Sequence, residues 1–201
     1  MVCSQCGAPL PPKTSRCGYC SALNDIDLRA LQGSVRKGAD SKLTCPQCQR
    51  SLQRMNIGSG RLLTIERCEH CLGLFFDPGE LESVVDQSVA RVHAVDMRRI
   101  AAIVEEENIS ATVPVRYVKC PVCLRMMHRK SYGARSGVVI DVCSDHGVWL
   151  DGGELGQILK WVRAGGKTYD HHRKQQEARR EEIQRRVDAR THRKHDAAGD
   201  E

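Results

Sequence analysis

The chain has 201 residues, a formal charge of +6 at pH 7, a pI near 8.8 and only 4 % aromatic residues. Two Trp, two Phe and four Tyr are too few to line one large core, so the composition argues for small domains held by something besides apolar packing. No apolar run approaches the roughly 20 residues of a bilayer span, so no membrane segment is expected.

The first residues, MVCSQCGAPL, carry neither a basic n-region nor an apolar h-region, so no secretory leader is expected and the cysteines are read in a reducing, cytoplasmic setting. Eleven cysteines and one histidine form six pairs spaced ligand-x-x-ligand: Cys3/Cys6, Cys17/Cys20, Cys45/Cys48, Cys68/Cys71, Cys120/Cys123 and Cys143/His146. Twelve thiol and imidazole groups in such pairs are the inventory of three closed tetrahedral sites, and hence of three Zn²⁺ per chain. The odd cysteine count, with a histidine in register, fits metal better than a disulfide framework.

In chain order, residues 1–23 form a first metal-stapled ribbon and residues 24–41 a linker with room for one short helical turn. An internal repeat follows: Cys45, Cys48, Cys68 and Cys71 recur 75 residues later as Cys120, Cys123, Cys143 and His146. The repeat assigns the pairs, closing 3/6 with 17/20, 45/48 with 68/71 and 120/123 with 143/146. Between pairs, QRSLQRMNIGSGRLLTIER matches LRMMHRKSYGARSGVVIDV, and each reads as a β-hairpin with glycine at the turn. A hairpin between two knuckles describes a ribbon, over 42–82 and again over 118–156.

Each copy then runs into LFFDPGEL or VWLDGGEL. Asp-x-x-Glu before an apolar helical pattern predicts a capping box, with Asp77 and Asp151 as N-caps and Glu80 and Glu154 reaching back. The first helix is expected over 78–108, with Leu81, Val84, Val85, Val89, Val92, Ile100, Ile103 and Val104 on its apolar face. The second starts at Gly152, presents Leu155, Ile158, Leu159 and Val162, and is stopped or hinged by Gly165-Gly166. The rest of a charged helical arm spanning 152–196 is polar nearly all round, with coiled-coil association one use open to it. The expected class is therefore a small, metal-stabilised α+β chain: three zinc ribbons joined and followed by long helices, without one shared core.

The second copy, Cys120-Pro121-Val122-Cys123, then Cys143/His146, then Gly147-Val148-Trp149-Leu150-Asp151-Gly152-Gly153-Glu154-Leu155, resembles the transcription-factor-IIB-type zinc-ribbon family. The first copy, with Cys45-Pro46-Gln47-Cys48, Cys68/Cys71 and Gly73-Leu74-Phe75-Phe76-Asp77-Pro78-Gly79-Glu80-Leu81, resembles it too, with Phe75 where the family has Trp. His146 departs from the usual fourth Cys without leaving zinc chemistry. The opening Cys3/Cys6 and Cys17/Cys20 pairs look like the short amino-terminal zinc ribbon of many bacterial proteins. The resemblance implies zinc-ribbon folds in a cytoplasmic protein and does not choose between docking and nucleic-acid binding.

Function is read from what the residues offer. Each site has four protein ligands, whereas catalytic zinc keeps an open position, so no enzyme and no small-molecule substrate are expected. The capping carboxylates serve helix starts rather than acid–base chemistry. Phe75, Phe76 and Trp149 are expected beneath the zinc sites rather than on nucleobases, and His70 is expected to be an exposed neighbour of the ligands. Two metallated sites of four cysteines, and one of three cysteines with a histidine, cancel most of the formal charge, leaving about +1. Nucleic acid therefore rests on local clusters. The best cluster is the arm, with Arg179, Arg180, Arg185, Arg186 and Arg190 as candidate phosphate contacts. Against it, Glu181 and Glu182 stand four residues before Arg185 and Arg186, where they form favourable helical pairs. The favoured reading is a protein-docking or self-association module; the alternative is a nucleic-acid-binding regulator.

Overall fold

The computed structural model describes residues 3, 5–9, 17–22, 35–57, 63–89, 98, 100 and 116–197. The chain divides into two compact units, Met1–Gly166 and Lys167–Glu201. In the first unit the strands are β1 (Val35–Thr44), β2 (Ser51–Ile57), β3 (Leu63–Arg67), β4 (Leu74–Phe76), β5 (His128–Ser131), β6 (Val139–Cys143) and β7 (Gly147–Leu150), with helices α1 (Glu80–Val89) and α2 (Glu154–Arg163). The class is α+β, as expected.

The two repeats do not stand apart as ribbons on helical arms. All seven strands form one antiparallel sheet in the order β1-β2-β3-β4-β7-β6-β5. The junction is β4 against β7, where Leu74 faces Leu150, Phe75 faces Trp149 and Phe76 faces Val148. Phe75 and Trp149 are the same position of the two repeats, so the pairing has a local two-fold axis at that pair, as an isologous dimer interface has. The cause lies in composition. LFF is buried on every side chain, and a strand apolar on both faces cannot remain at a wet sheet edge. Each repeat supplies the strand that covers the other's edge.

Register then carries one row of side chains across the sheet. Arg54 faces Glu66, Glu66 faces Phe75, Phe75 faces Trp149, Trp149 faces Asp141 and Asp141 faces Arg129. Directly paired residues share a face, so the row reads Arg-Glu-Phe-Trp-Asp-Arg, and its two halves are repeat-equivalent.

The expected linker 24–41 is shorter than its sequence suggests, because residues 35–41 belong to β1. Irregular register between Lys37 and Asp40 and again before Thr44 breaks the alternation that marks a strand. The chain is held there by Gln53, whose Nε2 donates to Gly38 O at 2.8 Å and to Ala39 O at 3.2 Å. Residues 24–34 lie outside the described residues.

Both helix starts depart from the expected boxes. The reaching-back half is present: Asp77 N–H donates to Glu80 Oε2 at 3.0 Å and Asp151 N–H to Glu154 Oε2 at 2.9 Å. The helices begin at Glu80 and Glu154, later than Pro78 and Gly152. The residue preceding α2 is Gly153 (φ 95°), which has no side chain to form a cap bond, and the Asp151 carboxylate is engaged elsewhere. Of the helix expected over 78–108, α1 realises residues 80–89 and helical geometry recurs at Arg98 and Ile100; residues 90–97, 99 and 101–115 lie outside the described residues. Leu81, Val84 and Val85 of α1 and Leu155, Ile158, Leu159, Trp161 and Val162 of α2 are buried, and the helices pack on each other. Trp161 also meets Tyr132 edge-to-face at 6.1 Å. It fills the space beside Gly133, where a Cβ would lie 2.5 Å from its ring. The Gly165 stop is as expected: Gly165 has φ 90° and its N–H donates to Val162 O at 2.9 Å.

The second unit is formed by α3 (Gly166–Ala197) from Lys167 on, and most of its described side chains are exposed, Ile183 and Val187 included. It is laced by the expected pairs Arg185–Glu181 (3.7 Å) and Arg186–Glu182 (2.8 Å), with Arg173–Glu177 (2.5 Å) beside them. Such a polar helix gains support from i,i+4 pairs rather than from a buried face.

The junction can be broken at one atom. Gly147 has φ 116°, and a Cβ there would lie 2.0 Å from Phe76 O of the other repeat. Gly147→Ala is expected to destabilise the chain by about 3 kcal/mol or more, read as a lowered chemical-denaturation midpoint. Amides of β4 and β7 should lose hydrogen-exchange protection first.

Candidate metal centres

Each metal group is built from short turns with a common backbone. The residue after the second ligand of every pair has positive φ: Gly7, Ser21, Gln49, Leu72, Leu124 and Gly147. In five of the six turns that residue's N–H returns to the carbonyl of the first cysteine, at 2.9–3.0 Å, for example Gln49 N to Cys45 O and Leu124 N to Cys120 O. The first cysteine's own N–H bonds the carbonyl five residues on, as Cys45 N does with Arg50 O at 2.7 Å. A left-handed residue costs a non-glycine about 1 kcal/mol or more. The turn accepts that cost at Ser21, Gln49, Leu72 and Leu124 because it brings two sulfurs to one side. The sixth turn, Cys143/His146, is instead the β6–β7 hairpin, with Cys143 paired to Gly147.

Three groups result: Cys3, Cys6, Cys17, Cys20; Cys45, Cys48, Cys68, Cys71; and Cys120, Cys123, Cys143, His146. Within each, all ligand atoms lie within 4.8 Å of one another. These are the twelve residues and the three groupings expected from the repeat. Sulfur separations are 3.6 Å for Cys3–Cys20 and Cys6–Cys17, 3.5 Å for Cys45–Cys71, 3.3 Å for Cys48–Cys68 and 3.8 Å for Cys123–Cys143. His146 turns Nδ1 toward Cys143 Sγ at 3.4 Å. A tetrahedron with Zn–S bonds of about 2.3 Å has edges of about 3.8 Å, so these spacings suit one ion in each group. The soft sulfur and imidazole donors select zinc over calcium or magnesium. None of the eleven cysteines is in a disulfide. His70 is exposed and belongs to no group, as expected.

Electrostatics points the same way. Packed thiols resist ionising together: Cys45 is pushed far up by its sulfur neighbours Cys68 and Cys71 and by burial, and Cys120 is pushed up to about 11, burial first. A dication relieves that opposition, because it binds the thiolate form and displaces the protons. Cys123 goes the other way, down to about 6, because Arg125 Nε donates to its sulfur at 3.5 Å. Arg125 is itself paired with Asp145. His146 is raised by its contact with Cys143.

The second and third groups share one interior. Cys45, Cys68, Cys120 and Cys143 cluster with Phe75, Trp149, Leu52, Val118 and Met127. Phe75, Phe76 and Trp149 are fully buried and not presented to bases. Phe75 and Trp149 pack with the cysteines as expected, whereas Phe76, next along β4, lies on the other face of the sheet. Gly73 is bare because a Cβ there would lie 2.2 Å from the Trp149 ring. Asp151, expected to cap α2, instead accepts from Trp149 Nε1 at 2.9 Å and from Gln47 Nε2 at 2.6 Å. Gln47 lies between Cys45 and Cys48, so the first repeat's turn is tied to a carboxylate of the second repeat. Sequence reading missed that link, because residues 104 apart in different repeats carry no local signal.

It also missed the buried carboxylates Glu66 and Asp141, although the repeat aligns them. Burial pushes both upward; for Glu66, Asp77 adds to the rise and Arg54 opposes it, and Asp141 reaches about 6 with Arg129 opposing. The phosphate candidates Arg179, Arg180, Arg185 and Arg186 are exposed on α3; Arg190 is in α3, but its side chain lies outside the described residues.

Asp141 has a folded pKa above its ordinary value, so its contribution to stability is full below about pH 4 and is lost as pH rises through about 6. Asp141→Asn is therefore expected to be about 1–2 kcal/mol more stable than the parent at about pH 8. The gain should fade toward acid, as measured by paired urea melts of zinc-loaded protein.

Among known proteins, residues 44–87 match the family described as a transcription factor zinc-finger, a TFIIB-type zinc ribbon, which takes in the second metal group, the first hairpin and the start of α1. No curated protein and no solved structure matches the chain.

Proposed function

We propose that the chain is a non-catalytic zinc protein that holds three Zn²⁺, with a second ribbon of the matched type at 118–156 and a short amino-terminal ribbon at 1–23, and that it works as a protein-docking module. The observation that carries this reading is the closed ligand set: each group offers four protein donors and no open coordination position. A metal held in that way staples a fold and leaves no site for substrate. Folding energy then comes from metal binding, which needs the thiols kept reduced, as in a cytoplasmic setting.

Docking is favoured over nucleic-acid binding because Phe75, Phe76 and Trp149, the aromatics of β4 and β7, are buried away from bases, and because Arg185 and Arg186 of α3 are paired with carboxylates on the same helix. The nucleic-acid reading is supported by the family description of residues 44–87 and by the basic strand β5.

Elemental analysis is expected to find three zinc ions per chain, and a strong chelator is expected to abolish the β-signal in circular dichroism; a content near one would overturn the reading. Immobilised zinc-loaded chain is expected to retain a defined cellular protein after nuclease treatment and to lose it on chelation. A gel shift that disappears when Arg179, Arg180, Arg185 and Arg186 are all changed to Gln would instead establish the nucleic-acid role.

A further inference from the structure

The two repeats are an internal control for each other. Where one carries a polar residue and the other an exposed apolar one at the same position, the fold does not require the apolar residue. Four such positions occur within ten residues. Tyr117, Val122, Leu124 and Met126 stand 75 residues after Lys42, Gln47, Gln49 and Ser51. They account for four of the seven large hydrophobic side chains exposed among the described residues, with Tyr117 and Leu124 at 66 % and 68 % exposure.

The backbone is the same in both copies: Gln49 has φ 60° and Leu124 φ 62°. Leu124 thus takes a left-handed position, unfavourable for a branched side chain, and exposes its apolar body there. The four residues do not serve the interior. Val118 and Met127, bonded N–H to carbonyl at 3.0 Å, face the shared core. Lys119 and Met126 pair on the outer side, with Tyr117 one alternation away. In the first repeat, Gln47 is consumed by its bond to Asp151, whereas Val122 at the equivalent place offers only carbon to solvent.

The surroundings select the occupant. From 116 to 135 the sequence carries six basic residues, Arg116, Lys119, Arg125, Arg129, Lys130 and Arg135, and no acidic one. Arg125 is answered by Asp145; Lys119 and Lys130 are exposed. Exposed apolar side chains with the exposed cations Arg116 and Lys119 beside them in the chain are complementary to a peptide with apolar anchors and flanking carboxylates. Nucleic acid would use the cations, but three of the four apolar side chains are aliphatic and give bases no ring to stack on.

We infer that the turn around Cys120 and Cys123, with Tyr117, Val122, Leu124 and Met126, is a docking surface for an acidic, apolar-anchored peptide segment of a partner protein. This rests on the docking reading above and gives it a place and a partner chemistry.

The test is selection of a random peptide phage library on immobilised, zinc-loaded full-length chain. Val122→Gln/Leu124→Gln/Met126→Ser transplants the first repeat's own residues, so the turn should keep its metal, checked by zinc content. Lys119→Glu/Lys130→Glu tests the charge half separately. The expected result is enrichment of sequences with two or more apolar residues flanked by Asp or Glu. Synthetic versions should bind about ten-fold or more weakly to either variant, with affinity falling as salt rises. Any of these results would overturn the inference: equal binding by parent and variants, enriched peptides without acidic residues, a DNA or RNA pool retained by the parent and released by the triple variant, or a parent dimer that the triple variant makes monomeric in sedimentation. Nuclease-resistant capture of a cellular protein that survives in both variants would overturn this surface while leaving the docking role intact.

Discussion

The pairing of β4 with β7 is the contact on which the rest of the first unit depends. Three residues from each repeat form it, centred on Phe75 and Trp149. A three-residue strand has little stability alone and exposes unpaired backbone along one edge. Paired to its own repeat-equivalent, it has both edges covered, and its side chains are buried on both faces of one continuous sheet. Gly73 and Gly147, equivalent in the repeat, lack side chains for complementary reasons: one admits the Trp149 ring and the other lets the Phe76 carbonyl approach.

That junction changes what the metal groups mean. Two ribbons on a flexible arm would bind metal independently. Here the buried cysteines of the second and third groups belong to one apolar cluster with Phe75 and Trp149, and Gln47 of one repeat bonds Asp151 of the other. Loss of either metal would disturb atoms that the other group packs against. The first group, by contrast, clusters with Ala8 and Ala22 alone among the described residues and exposes Cys6 and Cys20.

Duplication also separates what the fold needs from what it does not. Positions of the same kind in both copies serve the fold: the ligands, with His146 standing for Cys71, the Arg54–Glu66 and Arg129–Asp141 row, and the Glu80 and Glu154 bonds to the helix entrances. Positions that differ are open to other uses. Val122 against Gln47 and Leu124 against Gln49 are of that kind. The buried carboxylates are the reverse case: both copies keep a group whose ionised form burial opposes, which ties the row to the sheet rather than to one repeat's chemistry.

The sequence by itself determined the twelve candidate ligands, their grouping, the two hairpins, the Gly165 break and the ion pairs along α3. Each of these is set by spacing within a few residues or by the 75-residue repeat, and coordination or helical geometry turns such spacing directly into position. Only the tertiary structure decided that the repeats share a sheet, that residues 35–41 join β1, and that Asp151 serves Trp149 and Gln47 instead of capping α2. Those outcomes depend on which strand edge finds which partner and on which donor reaches a carboxylate first. The competitors lie far apart in the chain, so no local pattern records the result.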